Sequence, residues 1–176
     1  MTTAAGPTLH PPAFTRKLCP RAELAERIAT LPRPVVFTNG VFDVLHRGHV
    51  SYLAQARALA GDGVAAGGSL VVALNTDFSA KRLGKGPDRP LNNEQDRAMV
   101  IAALESVSLV TWFDEDTPLE LITALCPDVL VKGGDYDMAV LAEAKVVQAY
   151  GGTALTIAFV DGYSTTALVK KIRAPG

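Results

Sequence analysis

An α/β fold, with a parallel sheet of about five strands wrapped by helices on both faces, is what this 176-residue sequence predicts. Three observations carry that expectation. Five short apolar, β-branched runs recur along the chain, each is bounded by Gly, Pro or Asp, and helix-like segments separate them. Strands that alternate with helices imply βαβ units, and βαβ units imply parallel pairing with helices on both faces.

The five runs are PVVFT (Pro34–Thr38), SLVVALN (Ser69–Asn75), SLVTWF (Ser108–Phe113), DVLVK (Asp128–Lys132) and TALTIAF (Thr153–Phe159). None is broken by an internal charge, as buried strands require. Helices are expected near 47–60, 93–105, 118–125, 139–150 and 165–173. TPLE (Thr117–Glu120) reads as a helix start with a threonine cap, a proline in the first turn and a glutamate closing a capping box. In LNNEQDRA, Asn92 or Asn93 caps a helix that carries Arg97 near its start.

Composition bounds the rest. Hydrophobic residues make up 48% and charged residues 20%, the balance of a globular protein with one substantial core. A net charge of -1 excludes a global field for nucleic acid or an anionic membrane, so any phosphate site must be local. Residues 1–15, with three prolines and no periodicity, read as a mobile leader, and 16–176 as a single domain. Neither a signal peptide nor a membrane span is legible, which predicts a cytoplasmic location. Cys19 and Cys126 lack partners at metal-ligand spacing and read as reduced thiols, with Cys126 expected in the packing.

In parallel sheets ligands bind beyond the carboxyl ends of the strands, so the chemistry is sought in the segments that follow them. After the first strand comes TNGVFDVLHRGH, which holds two of the chain's three histidines. His46 and His49 stand three apart on one helical face, and Gly48 removes a side chain between them. A helix starting near His46 adds free N–H groups and a positive dipole end, which suits a phosphate. Half of a metal site, or two incidental surface histidines, are the alternatives. The third histidine, His10, lies in the leader.

Three further segments follow later strands. NTDFSAKRLGKGPDRPLN carries Lys81, Arg82, Lys85 and Arg89 among glycines and prolines that argue against a regular helix. It reads either as a cationic flap over a polyphosphate or as a solvated loop. It is not a Walker loop, because Gly86 rather than Ser or Thr follows Lys85. VKGGDY (Val131–Tyr136) bares backbone at Gly133 and Gly134 for the edge of a flat heterocycle, or forms a plain glycine turn. In DGYSTTALVKKIR, Ser164, Thr165 and Thr166 open the last helix. One hydroxyl suffices as a cap, and three suit phosphate oxygens as well.

Together these segments resemble the nucleotidyltransferase superfamily marked by an H-x-G-H signature, here HRGH, with STT matching its Ser/Thr-rich second signature. The longer stretches TNGVFDVLHRGHVSYLAQARAL, VVALNTDFSAKRLGKGPDRPLN, DVLVKGGDY and GYSTTALVKKIR are similar to the heptose 1-phosphate adenylyltransferases. Those occur free-standing or as the C-terminal half of a bifunctional kinase/adenylyltransferase. The resemblance runs from Pro34 to Arg173. It implies a Rossmann-like three-layer fold and transfer of AMP from ATP to D-glycero-D-manno-heptose 1-phosphate, giving ADP-heptose and pyrophosphate for lipopolysaccharide core synthesis. It also implies Mg²⁺ entering with ATP, no metal ligated by the protein, and a homodimer. A cytidylyltransferase acting on glycerol 3-phosphate is the nearest alternative. A metal hydrolase built on His46, His49 and Asp43, and a nucleotide sensor without turnover, are the others.

The resemblance also distributes roles. His46, His49 and Lys132 are the catalytic candidates. Asn39, Gly40 and Phe42 are expected on the α-phosphate and ribose side of the nucleotide, and Gly48 is a further nucleotide-binding candidate. Gly133, Gly134, Asp135 and Tyr136 are expected at the base, and Ser164, Thr165 and Thr166 at the β- and γ-phosphates. Asp43, Asn75, Lys81 and Arg97 are the candidates for the sugar phosphate. Two departures stand out. GDGVAAGGS (Gly61–Ser69) lengthens the link into the second strand, which reads as a surface insertion. No arginine precedes STT in FVDGYSTT, where the cytidylyltransferase relatives carry one.

Overall fold

The structure is a computed structural model that describes residues 10–61, 67–84, 86–134 and 136–174. Five parallel strands form its sheet: β1 (Val35–Gly40), β2 (Ser69–Asn75), β3 (Leu109–Phe113), β4 (Val129–Gly133) and β5 (Thr153–Ile157). The helices are α1 (Leu24–Ala29), α2 (Arg47–Ala58), α3 (Asp77–Arg82), α4 (Glu94–Ala102), α5 (Leu119–Leu125), α6 (Ala142–Ala149) and α7 (Thr165–Arg173). The spatial order is β3-β2-β1-β4-β5. All five predicted strands are present, β2 with the expected bounds, and β5 ends two residues early at Ile157.

Alternation along the strands divides the interior in two. Val35 and Phe37 of β1, Val71 and Ala73 of β2, and Leu130 of β4 point to one face, where Leu24, Ile28, Leu121, Ile122, Ala144 and Val147 of α1, α5 and α6 cover them. Val36, Leu70, Val72, Leu74 and Val131 point to the other, under Tyr52 and Leu53 of α2 and Ala98 and Ile101 of α4. The result is three layers. Each fully buried Leu or Phe contributes about 1.5–3 kcal/mol relative to exposure, so the strands are held on both faces.

Several expectations are corrected. Asp77–Arg82 is helical, because Thr76 caps it by accepting from Ser79 N at 3.1 Å while the glycines and prolines all come later. The helix α1 escaped the sequence reading because it is only six residues long, yet Leu24 and Ile28, four apart, bury its inner side. Thr117 makes no capping bond. The helix starts one residue later than the capping box requires, with Pro118 at the cap position. Cys126 is exposed, ending α5 in a left-handed conformation (φ 44°), whereas Cys19 is the buried thiol.

The expected leader overlaps the fold. Ala13–Lys17 form a 3-10 turn, Phe14 and Leu18 pack on the α2/α4 side of the core, and Cys19 N donates to the Val110 carbonyl at 2.9 Å. Residues 1–9 lie outside the described residues, as do 62–66 of the expected insertion. Its far end is tightly fitted: a Cβ on Gly68 would overlap the Pro34 carbonyl oxygen, so only glycine passes there.

Candidate active site

The sheet order makes β1 and β4 neighbours. The chain leaves β1 into α2 on one face and leaves β4 into α6 on the other. The two connections diverge, and a crevice opens beyond Gly40 and Gly133, at the point where parallel sheets place their ligands. A cavity of about 910 Å³ occupies it. That is ample for a nucleotide.

The histidine pair is built from the β1 exit. Phe42 adopts φ 47°, and its ring packs where a Cβ on Gly40 would stand, 2.9 Å from Cε2. The turn delivers His46 to the N-cap of α2, where its Nδ1 accepts from His49 N at 3.4 Å. The two imidazoles stack at 3.8 Å between centroids with 15° between planes. Phe42 meets His49 edge-on at 5.2 Å. Gly48 leaves room for this stack, because a Cβ there would lie 3.1 Å from both His46 Nδ1 and Tyr163 Cβ. Burial holds the His46 pKa below its ordinary value. With Nδ1 accepting, the proton sits on Nε2, and His46 is a neutral donor at physiological pH.

The Ser/Thr segment divides its work. Ser164 caps α7, accepting from Ala167 N at 3.3 Å. Thr165 Oγ1 donates to the Val44 carbonyl at 3.2 Å, which ties α7 to the loop that carries the histidines. Thr166 lines the cavity and a smaller adjoining one of about 350 Å³. Ser164 and Thr165 line the same cavity, so the triplet serves as cap and as cavity wall together.

Other candidates lie behind the cavity wall. Lys132 is buried, with Nζ 2.7 Å from Asn39 Oδ1 and 3.3 Å from Glu143 Oε1. It holds Asn39, which does line the cavity. Burial lowers the Lys132 pKa and Glu143 opposes the shift. Replacing Lys132 by methionine strands the Glu143 carboxylate and is expected to cost about 3–5 kcal/mol in urea denaturation. Adding Glu143→Gln should recover most of that loss, and equal stability of the two variants would refute the pairing.

Of the sugar-phosphate candidates, Asp43 lines the cavity, whereas Asn75, Lys81 and Arg97 do not. The Asp43 carboxylate, buried, receives Arg89 Nε at 2.6 Å and the amides of Leu91 and Asn92 at 2.8–2.9 Å. Asn75 Nδ2 donates to Ser79 Oγ inside the fold. Lys81 is exposed on α3 and does not line the cavity. Arg97 is sealed, its side chain 0% exposed, and donates to the carbonyls of Val41, Asn75 and Asn92 and to Asp77 Oδ1. Its role is to tie the β1 exit, the β2 exit and the approach to α4. Asp135 lies outside the described residues.

Arg89, one of the four cations of the expected flap, is on the cavity wall, and Tyr163 and Phe159 join it there without having been assigned to the site. Arg89 reaches the cavity because Asp43 fixes it there. Tyr163 lies under the Arg47 guanidinium, 5.7 Å from its ring centroid, and 6.1 Å from the His46 ring. Phe159 was assigned to the β5 run and so to the core, yet it is 61% exposed on the cavity wall. Only the Asp-Gly pair just before Tyr163 signalled a turn that could bring such side chains out of the sheet.

The cytidylyltransferase-like family matches residues 37–171, a span that contains the whole cavity wall. The chain belongs to that family. It is 58% identical over 162 residues to a D-beta-D-heptose 1-phosphate adenylyltransferase of Bordetella bronchiseptica, covering 91% of this chain and 96% of the relative. It is 51% identical over 155 residues to the bifunctional protein HldE of Citrobacter koseri, covering 86% of this chain. The match spans 31% of that longer relative. Among solved structures, a lipopolysaccharide core biosynthesis protein from Thermoplasma volcanium is 29% identical with a TM-score of 0.57, covering 74% of this chain and 98% of that one. The parallel sheet between helices expected from the sequence is the one this chain has.

Proposed function

We propose that the chain transfers AMP from ATP to the β anomer of D-glycero-D-manno-heptose 1-phosphate, forming ADP-heptose and pyrophosphate for lipopolysaccharide core synthesis. One observation carries the reading: 58% identity to a heptose 1-phosphate adenylyltransferase along nearly its whole length, with both signature segments lining one cavity.

The chemistry follows from the reactants. An oxygen of the sugar phosphate attacks the α-phosphorus of ATP, that bond forms, and the bond from the α-phosphorus to the bridging oxygen breaks. The electron pair leaves with pyrophosphate. A phosphate monoester is already ionised near neutral pH, with a second pKa of about 6, so no general base is needed. The protein's task is to align two anions and stabilise charge on the departing group. His46 and His49 do this as donors to the triphosphate, strengthening as charge moves outward. Thr166 and the start of α7 take the β- and γ-phosphates. Asn39, held by Lys132, and Gly40 border the α-phosphate and ribose. Arg89, held by Asp43, supplies a fixed cation on the cavity wall for the incoming sugar phosphate. Gly133, Gly134 and Tyr136 border the base.

Among the described residues no group of three or more His, Cys, Asp or Glu side chains is placed to hold a metal. The Asp43 carboxylate is committed to Arg89 and two amides. The donor set fits Mg²⁺ carried by the triphosphate, with His46, His49 and Thr166 beside it, rather than a protein cage. When bound, the ion neutralises phosphate charge. Among the described residues no helix is long and apolar enough to cross a membrane. A cytoplasmic homodimer completes the proposal. It is favoured by α7, which buries none of its residues in the single chain and leaves Ile172 72% exposed. Sedimentation should give twice the 18.5 kDa chain mass.

The test is pyrophosphate release from ATP with Mg²⁺ and each anomer of heptose 1-phosphate, run beside CTP with glycerol 3-phosphate. Turnover with ATP and the β anomer is expected. Faster release with CTP and glycerol 3-phosphate would overturn the reading.

A further inference from the structure

The two glycines after the β4 run, of which Gly133 lines the cavity, also leave room for an aromatic ring. A Cβ on Gly133 would lie 2.6 Å from Cε1 of Phe159, and one on Gly134 would lie 2.6 Å from Cε2 of the same ring. The far end of the ring therefore occupies the notch that two missing side chains leave. Gly134 N donates to the Ile157 carbonyl at 2.9 Å, which holds the end of β5, and with it Phe159, against this notch. Gly134 itself sits at φ 102°, where a side chain would be strained.

A ring seated this firmly is still 61% exposed, and what it faces is the cavity. The polar groups suited to phosphate, His46, His49 and Thr166, lie on the α2 and α7 parts of the same wall. The part formed by the ends of β4 and β5 offers aromatic surface instead, from Phe159 and the 55% exposed Tyr136. An amphiphilic ligand with an anionic tail and a flat head matches that division. Bases stack on aromatic side chains because every base has a π-face.

We propose that Phe159 is the nucleobase-contacting residue of this site, its glycine-seated ring forming the surface on which the base of ATP stacks. The inference rests on the ATP reading above and deepens it. Stacking of this kind adds affinity for any nucleotide over a bare polyphosphate, while recognition of the base edge falls to the backbone around Gly134 and Tyr136.

The experiment is calorimetric titration of the full chain and its Phe159→Ala, Phe159→Leu and Phe159→Tyr variants with ATP and, separately, with inorganic tripolyphosphate. Phe159→Ala and Phe159→Leu should weaken ATP binding about 10- to 100-fold, the range that loss of base stacking spans, and shift tripolyphosphate binding less than about twofold. Phe159→Tyr, which keeps the π-face, should stay within about threefold of the parent for both ligands. In turnover the Ala and Leu variants should raise KM for ATP and leave kcat nearly unchanged. Equal weakening of both ligands would overturn the proposal, because it would make Phe159 a support for Ser164–Thr166. Unchanged ATP affinity would overturn it as well. A parent chain that binds ATP but makes no ADP-heptose sinks the acceptor reading and leaves this one standing. A parent that binds ATP no better than tripolyphosphate sinks this one alone.

Discussion

Replacing His46 by asparagine leaves the protein folded and lowers the rate of ADP-heptose formation about 100- to 1,000-fold, the usual effect of removing one oxyanion-type donor. The substitution separates two jobs that one side chain performs. His46 caps α2 through its Nδ1, and it stacks on His49 at the cavity. Asparagine is among the best N-cap residues, so the first turn of α2 keeps its partner and thermal stability stays level or rises. What is lost is the imidazole with its proton on Nε2, and with it the surface that orients His49. His49→Ala should show a similar loss of rate with the cap intact. Single-turnover measurement of AMP transfer at saturating ATP, beside a thermal melt, reads both effects. Near-parental turnover in either variant would remove that histidine from the mechanism.

The second large effect concerns stability. Arg97→Ala is expected to destabilise the chain by about 3–5 kcal/mol, a large fraction of the 5–15 kcal/mol that holds a typical domain together. The guanidinium satisfies three backbone carbonyls and the Asp77 carboxylate. Deleting it leaves the carbonyl of Asn75, which is itself buried, without that donor and opens a cavity of arginine size. Arg97→Lys keeps the charge but cannot reach four acceptors with one ammonium, so an intermediate loss is expected. Urea denaturation gives the numbers. Kinetics on the surviving folded fraction then distinguish the roles. If Arg97 acted on the sugar phosphate, Arg97→Lys would raise KM for the acceptor without loss of stability, and that result would restore it to the site.

These two residues show how far the sequence carries. His46 and His49 were legible because their chemistry is local: a strand, a tight turn and a helix start within a dozen residues place them by short-range geometry. Arg97 was legible as a helix residue, but the partners that bury it were not. A cation near a helix start looks like a phosphate ligand until it is known that the β1 exit, 56 residues earlier, turns the Val41 carbonyl toward it. The partners of Asp43 were hidden for the same reason, since Arg89, Leu91 and Asn92 lie 46 to 49 residues away. Phe159 was hidden by its own apolar run.

What the sequence determined by itself is therefore the periodic and the local. Strand runs, most helix starts, the glycine between the histidines and the Ser/Thr cap all depend on residues within one or two turns of one another. What only the tertiary structure decided is which polar groups face the cavity and which are consumed in holding it open. That division depends on pairings across the sheet order β3-β2-β1-β4-β5. Chain separation does not encode it, because a buried charge takes whichever partner the fold brings within about 3 Å.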